Sequence, residues 1–312
     1  MLSYQHGYHA GNHADVLKHV ILLAIIRHMQ AKVAPITYID THAGAGSYAL
    51  HESQAQKTQE SATGIHKLYE WQAQGKPLDP LIADYLALIA SFNPSGQLNQ
   101  YPGSPLLMLA TVRSADFIAD TLRVFERHPT ERQLLEAHLM RNTPPAPTPP
   151  AGQRVSRVRP VLIQGDEGFA GLPALLPPAN RRALVLIDPS YEIKTDYRSV
   201  LECLRAAMAK FPQGTYAVWY PMLKRIEAQQ LVPRLKTLCA QHKKAQSGCE
   251  YLNATLAVNA GGPDGFGGLW GSGLFIINPP WTLAAQLKTS TLPTLKAALG
   301  QTKEARWTVE IG

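Results

Sequence analysis

Cysteine is scarce: Cys203, Cys239 and Cys249 are the only three in 312 residues. An odd number without close ligand pairing excludes a disulfide framework and offers no zinc pattern, so no metal is expected. A membrane-length apolar run is missing as well. The longest one near the N-terminus extends only from Val20 to Ile26, between Asp15, Lys18 and His19 on one side and Arg27 and His28 on the other. A spanning helix needs about 20 apolar residues. The same run lacks a basic leader and a small-residue cleavage site, so it does not read as a secretory signal, and the expected location is the cytoplasm. Internal repeats are absent. Acidic side chains are the minority charge, 23 against 30 basic ones, for a net charge of +7. That balance attracts polyanions but does not by itself identify one. Against these absences stand 45% hydrophobic residues, enough to fill a core of domain size.

Apolar residues recur on a helical period between His9 and Met29, with Val16, Val20, Leu23 and Ile26 on one side. Ile36 to Ile39 is a short β-prone run that ends at Asp40 and passes into THAGAG, a glycine-rich strand-to-helix turn. The stretch from Gln54 to Asn93 reads as helical and polar, closed by NPSGQ and YPGSP. Further expected elements are a helix over Pro105 to Val112, a strand over Thr121 to Phe125 and a helix over Glu131 to Met140. The proline-rich, basic segment Arg141 to Pro160 cannot sustain a helix or a central strand and reads as a surface loop. Strands are expected over Val161 to Gln164, Ala183 to Ile187, Tyr216 to Tyr220, Thr255 to Asn259 and Leu274 to Asn278, with a helix near Ile226 to Leu238. Alternation of this kind predicts an α/β fold with a mostly parallel sheet and helices on both faces. The expected division is an N-terminal helix and first core part over 1–53, an inserted helical subdomain over 54–100, and the remaining core over 101–312.

Ligands of open α/β sheets bind outside the carboxyl ends of the strands, where Asp40, Glu126, Asp166 and Asp188 fall. In YIDTHAGAG, Gly44 and Gly46 let a ligand approach the backbone; a plain tight turn is the alternative. Glu126, after the next strand, can accept hydrogen bonds from two ribose hydroxyls. Asp166 and Glu167 can meet an exocyclic amine of a ligand's adenine or, equally, cap a helix.

The sharpest pattern is ALVLIDPSY, which delivers Asp188, Pro189, Ser190 and Tyr191 to the sheet edge. It resembles the D/N-P-P-Y/F motif of amino-methyltransferases. The Asp188 carboxylate and the Pro189 carbonyl can accept hydrogen bonds from a target amine, directing its lone pair at a methyl sulfonium. Tyr191 offers a ring face to a flipped base, and the proline restricts the residue before it. Serine replaces the second proline, but none of the groups given a role is lost. IINPPW, Ile276 to Trp281, fits the pattern more literally, yet it lies at the end of the last expected strand, far along the chain from the other ligand elements, and is assigned a structural role.

Together, MLSYQHGYHAGNHADVLKH, YIDTHAGAG, YPGSP, IDPSYEIKTDY, GTYAVWYP and INPPW resemble the RlmJ family of 23S ribosomal RNA adenine-N6 methyltransferases over nearly the whole chain. The resemblance implies a Rossmann-like class I methyltransferase with a helical insertion, and S-adenosylmethionine as cofactor. It implies that His19, His42, Ser104, Glu126 and the turn Asp166, Glu167 and Gly168 contact that cofactor, beside the Gly44 read from the glycine-rich turn. Asp188 would lie where cofactor and target amine meet. Tyr4, His6 and Lys18 would lie near the substrate base, where they can stack, donate hydrogen bonds and neutralise phosphate. The implied partner is 23S ribosomal RNA, naked or in an early assembly intermediate, with a monomeric enzyme, no metal and direct in-line transfer. The rival readings are a DNA adenine-N6 methyltransferase and a non-catalytic cofactor- and RNA-binding protein.

Overall fold

In a computed structural model describing residues 7, 9–50, 60–115, 118–143, 161–165, 167–245, 249–261 and 268–312, the apolar runs assemble into one eight-stranded sheet. Its strands are β1 (Thr37–Asp40), β2 (Thr121–Phe125), β3 (Val161–Gln164), β4 (Ala183–Ile187), β5 (Thr215–Met222), β6 (Tyr251–Ala257), β7 (Gly271–Ile277) and β8 (Arg306–Ile311). Their order across the sheet is β8-β6-β7-β5-β4-β1-β2-β3. Strands β1 to β5 pair in parallel, whereas β7 runs antiparallel to β5 and β6, and β8 antiparallel to β6. From β1 the chain winds outward through β2 and β3, and then returns to start the other half at β4. The switch point between β1 and β4 opens a crevice at their carboxyl ends.

Burial explains which runs became central strands. ALVLI of β4 is buried at every position, as a strand covered by helices on both faces must be. RWTVEI of β8 lies at the sheet margin and is mostly exposed, so its short alternation gives little hydrophobic signal. The expected strand at Thr255 begins earlier, at Tyr251, because pairing with both β7 and β8 extends it. The helix Pro129–Asn142 takes in the first two residues of the expected loop and stops at Thr143, whose N–H bonds to the Leu139 carbonyl; residues 144–160 lie outside the described residues.

The N-terminal helix α1 (His13–Gln30) is capped by Asn12, whose Oδ1 accepts from the N–H groups of Ala14 and Asp15 at 2.9 and 3.0 Å. It is buried from His13 to Ile26, because it packs on strands β7 and β5 and against the helices Pro80–Ser91 and Ser104–Thr111. The chain leaves the core and comes back along a two-stranded ribbon, Ser47–Ala49 against Gln100–Pro102. Between these strands, Glu60 binds His9 and Asn12, each at 2.9 Å, and Ile65 N–H donates to the Gly11 carbonyl. A Cβ at Gly64 would strike the Gly11 carbonyl, so glycine permits this close docking at the start of α1. Among the described residues, no helix is long and apolar enough to cross a membrane.

Candidate active site

A cavity of about 550 Å³ occupies the crevice at the switch point, within the 300–1,000 Å³ usual for small-ligand clefts. Its floor is the turn after β1. Asp40 is fully buried; its carboxylate accepts from Ser104 Oγ at 2.6 Å and from the His42 N–H at 3.1 Å. Burial pushes its pKa up to about 6, partly offset by those two hydrogen bonds. Thr41 Oγ donates to the Leu186 carbonyl at 3.1 Å and lies 2.8 Å from His42 Nδ1. With the hydroxyl proton so used, Nδ1 is the donor and Nε2 remains an acceptor. Burial lowers the His42 pKa to about 3, so the imidazole stays neutral, its ring edge-to-face with Phe169 at 4.6 Å. Gly44 has φ +58°, and a Cβ there would run into the Tyr48 hydroxyl.

The Asp40 shift makes a testable statement. In the unfolded chain the carboxyl ionises near its ordinary value of 3.8, in the folded one near 6, so between these the folded state binds more protons. Its contribution to stability therefore falls as pH rises from about 4 to 6, by about 2–3 kcal/mol. Denaturant unfolding across this range is expected to show a decline that Asp40→Asn removes; identical slopes in both proteins would contradict the buried, ionisable Asp40.

Glu126 follows β2. One carboxylate oxygen accepts the Gly44 N–H at 2.9 Å and the other the His128 N–H at 2.6 Å. Burial raises its pKa against the pull of these bonds. Each oxygen retains a second lone pair. Across the cavity, Glu167 caps the short helix Gly168–Gly171, its oxygens accepting from Phe169 N–H at 3.1 Å and Ala170 N–H at 2.9 Å. Of the two readings of that acid, capping is the one this geometry realises, while its side chain still borders the cavity. Asp166 lies outside the described residues. A Cβ on Gly168 would collide with the Thr41 carbonyl, so only glycine lets the two turns meet.

Asp188 emerges from β4 opposite α1. Its Oδ2 accepts from Lys18 Nζ at 2.7 Å, and Lys18 donates equally closely to Asp15 Oδ1. Asp15 Oδ2 accepts from the Gly11 N–H at 3.0 Å. Burial alone would lower the Lys18 pKa, but Asp15 and Asp188 outweigh it and hold the ammonium well above its ordinary value. Asp188 Oδ1 has no hydrogen-bond partner among the described residues. Lys18 is 3% exposed. The expected phosphate contact does not suit that placement: the ammonium is enclosed between two carboxylates and faces Asp188.

Two further expectations need correction. Tyr191 is 1% exposed: its hydroxyl donates to the Trp219 carbonyl at 2.7 Å and its ring packs on Tyr197, centroids 4.7 Å apart. The backbone at φ +54° turns most of the ring into the protein, so Tyr191 borders the cavity with almost none of its surface open. His19 is 1% exposed and outside the cavity wall; its Nδ1 bonds to Tyr101 Oη at 2.9 Å. Lys18 and His19 are neighbours on α1, about 100° apart around the helix, so only one of them can face the crevice. His42, Gly44, Ser104, Glu126, Glu167, Gly168, Asp188 and Pro189 all border the cavity. Tyr4 and His6 lie outside the described residues. INPPW stands apart from it: the Asn278 amide donates to the carbonyls of Pro212 and Gly214, and Trp281 is 84% exposed.

Sequence reasoning missed Asp15, Asp40 as a buried acceptor, and Trp219. Asp15 could have been found by its i,i+3 spacing from Lys18. No metal-ligand cluster of three or more His, Cys, Asp or Glu occurs among the described residues.

Comparison with known proteins gives a consistent result. A family model described as "Ribosomal RNA large subunit methyltransferase D, RlmJ" matches residues 33–311. The protein named ribosomal RNA large subunit methyltransferase J of Escherichia coli (strain K12) is 38% identical over 96% of this chain and 94% of its own. Its namesake from Haemophilus influenzae (strain ATCC 51907 / DSM 11121 / KW20 / Rd) is 37% identical over 99% and 98%. A crystal structure of a protein from Legionella pneumophila str. Philadelphia 1 superposes with a TM-score of 0.79, at 30% identity, over 97% of this chain and 98% of that one.

Proposed function

The chain belongs to the RlmJ family of ribosomal RNA large subunit methyltransferases, and on that premise we propose that it methylates the N6 amine of an adenine in 23S ribosomal RNA. The cofactor is S-adenosylmethionine, which when bound supplies an electrophilic methyl group. The residues of the crevice fit such a ligand. Glu126 is anchored by two backbone N–H groups and keeps lone pairs for two ribose hydroxyls. Gly44 and Gly168 bring main chain to the cavity wall at places where a Cβ would strike Tyr48 or Thr41. Neutral His42 offers an acceptor nitrogen, and Ser104 keeps the Asp40-bound turn in place.

One observation carries the reading: Asp188 stands at the cavity with Oδ2 fixed by a buried ammonium and Oδ1 open. A carboxylate held this way accepts an N–H of the target amine and aims the nitrogen lone pair. The Pro189 carbonyl accepts the second N–H. An aromatic amine is nearly neutral and becomes acidic only as the methyl adds, so Asp188 orients first and takes the proton late. Acceleration comes mainly from positioning and exclusion of water around a base drawn out of its stack. The basic net charge favours RNA. Of the inserted subdomain expected over 54–100, the described residues from Glu60 onward brace the start of α1, in a monomer acting in the cytoplasm on naked RNA or an early assembly intermediate.

Mapping N6-methyladenine in 23S RNA from cells with and without the gene tests this directly; identical maps refute it. Transfer to duplex DNA but not to protein-free 23S RNA would move the substrate to DNA, and cofactor binding without transfer to either would leave a non-catalytic binder. Glu126→Ala is expected to weaken S-adenosylmethionine binding by about 1.5–3 kcal/mol, the range for hydrogen bonds to a charged group. Calorimetric titration measures it, and unchanged affinity would remove Glu126 from the ribose site.

A further inference from the structure

Tyr191 borders the crevice but is only 1% exposed, and a second, more open ring lies beside Asp188. Residues Leu184 to Ile187 of β4 pair with Thr215 to Val218 of β5 in parallel. The next step along both strands brings Asp188 level with Trp219. Along β4, Leu184 and Leu186 face the α1 side, as does Ala217 on β5, while Val185, Ile187, Tyr216 and Val218 face the other. The period of two places Asp188 and Trp219 together on the α1 side. Lys18 Nζ confirms the juxtaposition, lying 2.7 Å from Asp188 Oδ2 and 5.9 Å from the Trp219 ring centroid.

Trp219 is partly exposed and borders the cavity. Its Nε1 is buried without a hydrogen-bond partner among the described residues. The open part of the side chain is therefore ring carbon: an apolar surface beside Asp188. The Tyr191 hydroxyl holds the Trp219 carbonyl, so the buried tyrosine of the motif fixes the strand that presents the tryptophan.

We propose that Trp219, not Tyr191, is the aromatic surface on which the target base rests while Asp188 receives its amine. This rests on the reading of the chain as an adenine methyltransferase and adds the residue that holds the base. A π-face beside one amine acceptor fits a flat heteroaromatic ring with an exocyclic amine, and stacking tolerates replacement by another aromatic ring.

The test is steady-state methylation of protein-free 23S RNA by wild type, Trp219→Leu and Trp219→Phe, with S-adenosylmethionine affinity and melting temperature recorded for each. Trp219→Leu is expected to lower kcat/KM for RNA about ten- to a hundredfold. Trp219→Phe should stay within a few-fold of wild type, and cofactor affinity and melting temperature should hold in both. Unchanged kcat/KM in Trp219→Leu with an active wild type overturns this assignment alone. Equal losses in Leu and Phe variants, accompanied by weaker cofactor binding or lower melting temperature, make Trp219 a packing residue and overturn it too. A wild type that transfers no methyl to this RNA overturns the substrate reading and this inference together.

Discussion

Asp188→Ala is expected to lower kcat for RNA methylation by at least a hundred- to a thousandfold, the scale seen when one transition-state hydrogen-bonding group is removed, with little change in S-adenosylmethionine affinity. The geometry separates the two effects. Oδ2 is committed to Lys18 at 2.7 Å and Oδ1 is left for the amine, whereas the ribose acceptor, Glu126, is a separate carboxylate anchored by Gly44 and His128. Alanine removes the acceptor that orients the amine but leaves Lys18 paired with Asp15, so no buried charge is stranded. Asp188→Asn keeps an oxygen and loses the charge, and should fall between wild type and alanine. Single-turnover rates and calorimetric affinities decide the matter: equal losses in both would place Asp188 in the cofactor site.

The core strands were legible because each leaves a local mark. ALVLI is apolar at every position, which only a strand covered on both faces tolerates, and it ends at an acid and a proline. The THAGAG turn and Glu126 likewise lie at strand ends, where chain order alone predicts a crevice. The antiparallel margin was not legible. Strand β8 is mostly exposed and carries charge, and nothing local distinguishes an antiparallel strand from a parallel one. The helix Asp196–Lys210 also went unmarked, although its Tyr197, Val200, Cys203, Leu204 and Ala207 follow a helical period.

Within the site, the limit was register and rotation rather than residue type. DPSY identified Asp188 correctly as an acid at the sheet edge, but only the positive φ at Tyr191 sends that ring inward. Which ring replaces it depends on how β4 and β5 pair, a relation between separate segments that no motif encodes. The N-terminal helix shows the same limit. Lys18 and His19 looked equally placed to meet ligands, and the helix gives the crevice to one and the Tyr101 contact to the other.

Lys18→Met is expected to destabilise the protein by about 3–5 kcal/mol, the cost of removing one partner from a buried ion pair, and to remove most methyl transfer. The ammonium is 3% exposed and bonded to Asp15 and Asp188 at 2.7 Å each. Methionine fills similar space but leaves two negative side chains with no cation between them, in a region where water screens poorly. Their repulsion turns Asp188 away from the position in which its open oxygen meets the amine. Adding Asp15→Asn to Lys18→Met removes one of the two charges, so the double variant should recover much of the lost stability without recovering activity. RNA affinity supplies the contrasting measurement. An ammonium facing a phosphate would lower the slope of log affinity against log salt by about 0.7–0.9 when removed, whereas one enclosed between carboxylates leaves it unchanged. Full stability in Lys18→Met, or a slope reduced by that amount, would return Lys18 to the RNA backbone and leave Asp188 without its anchor.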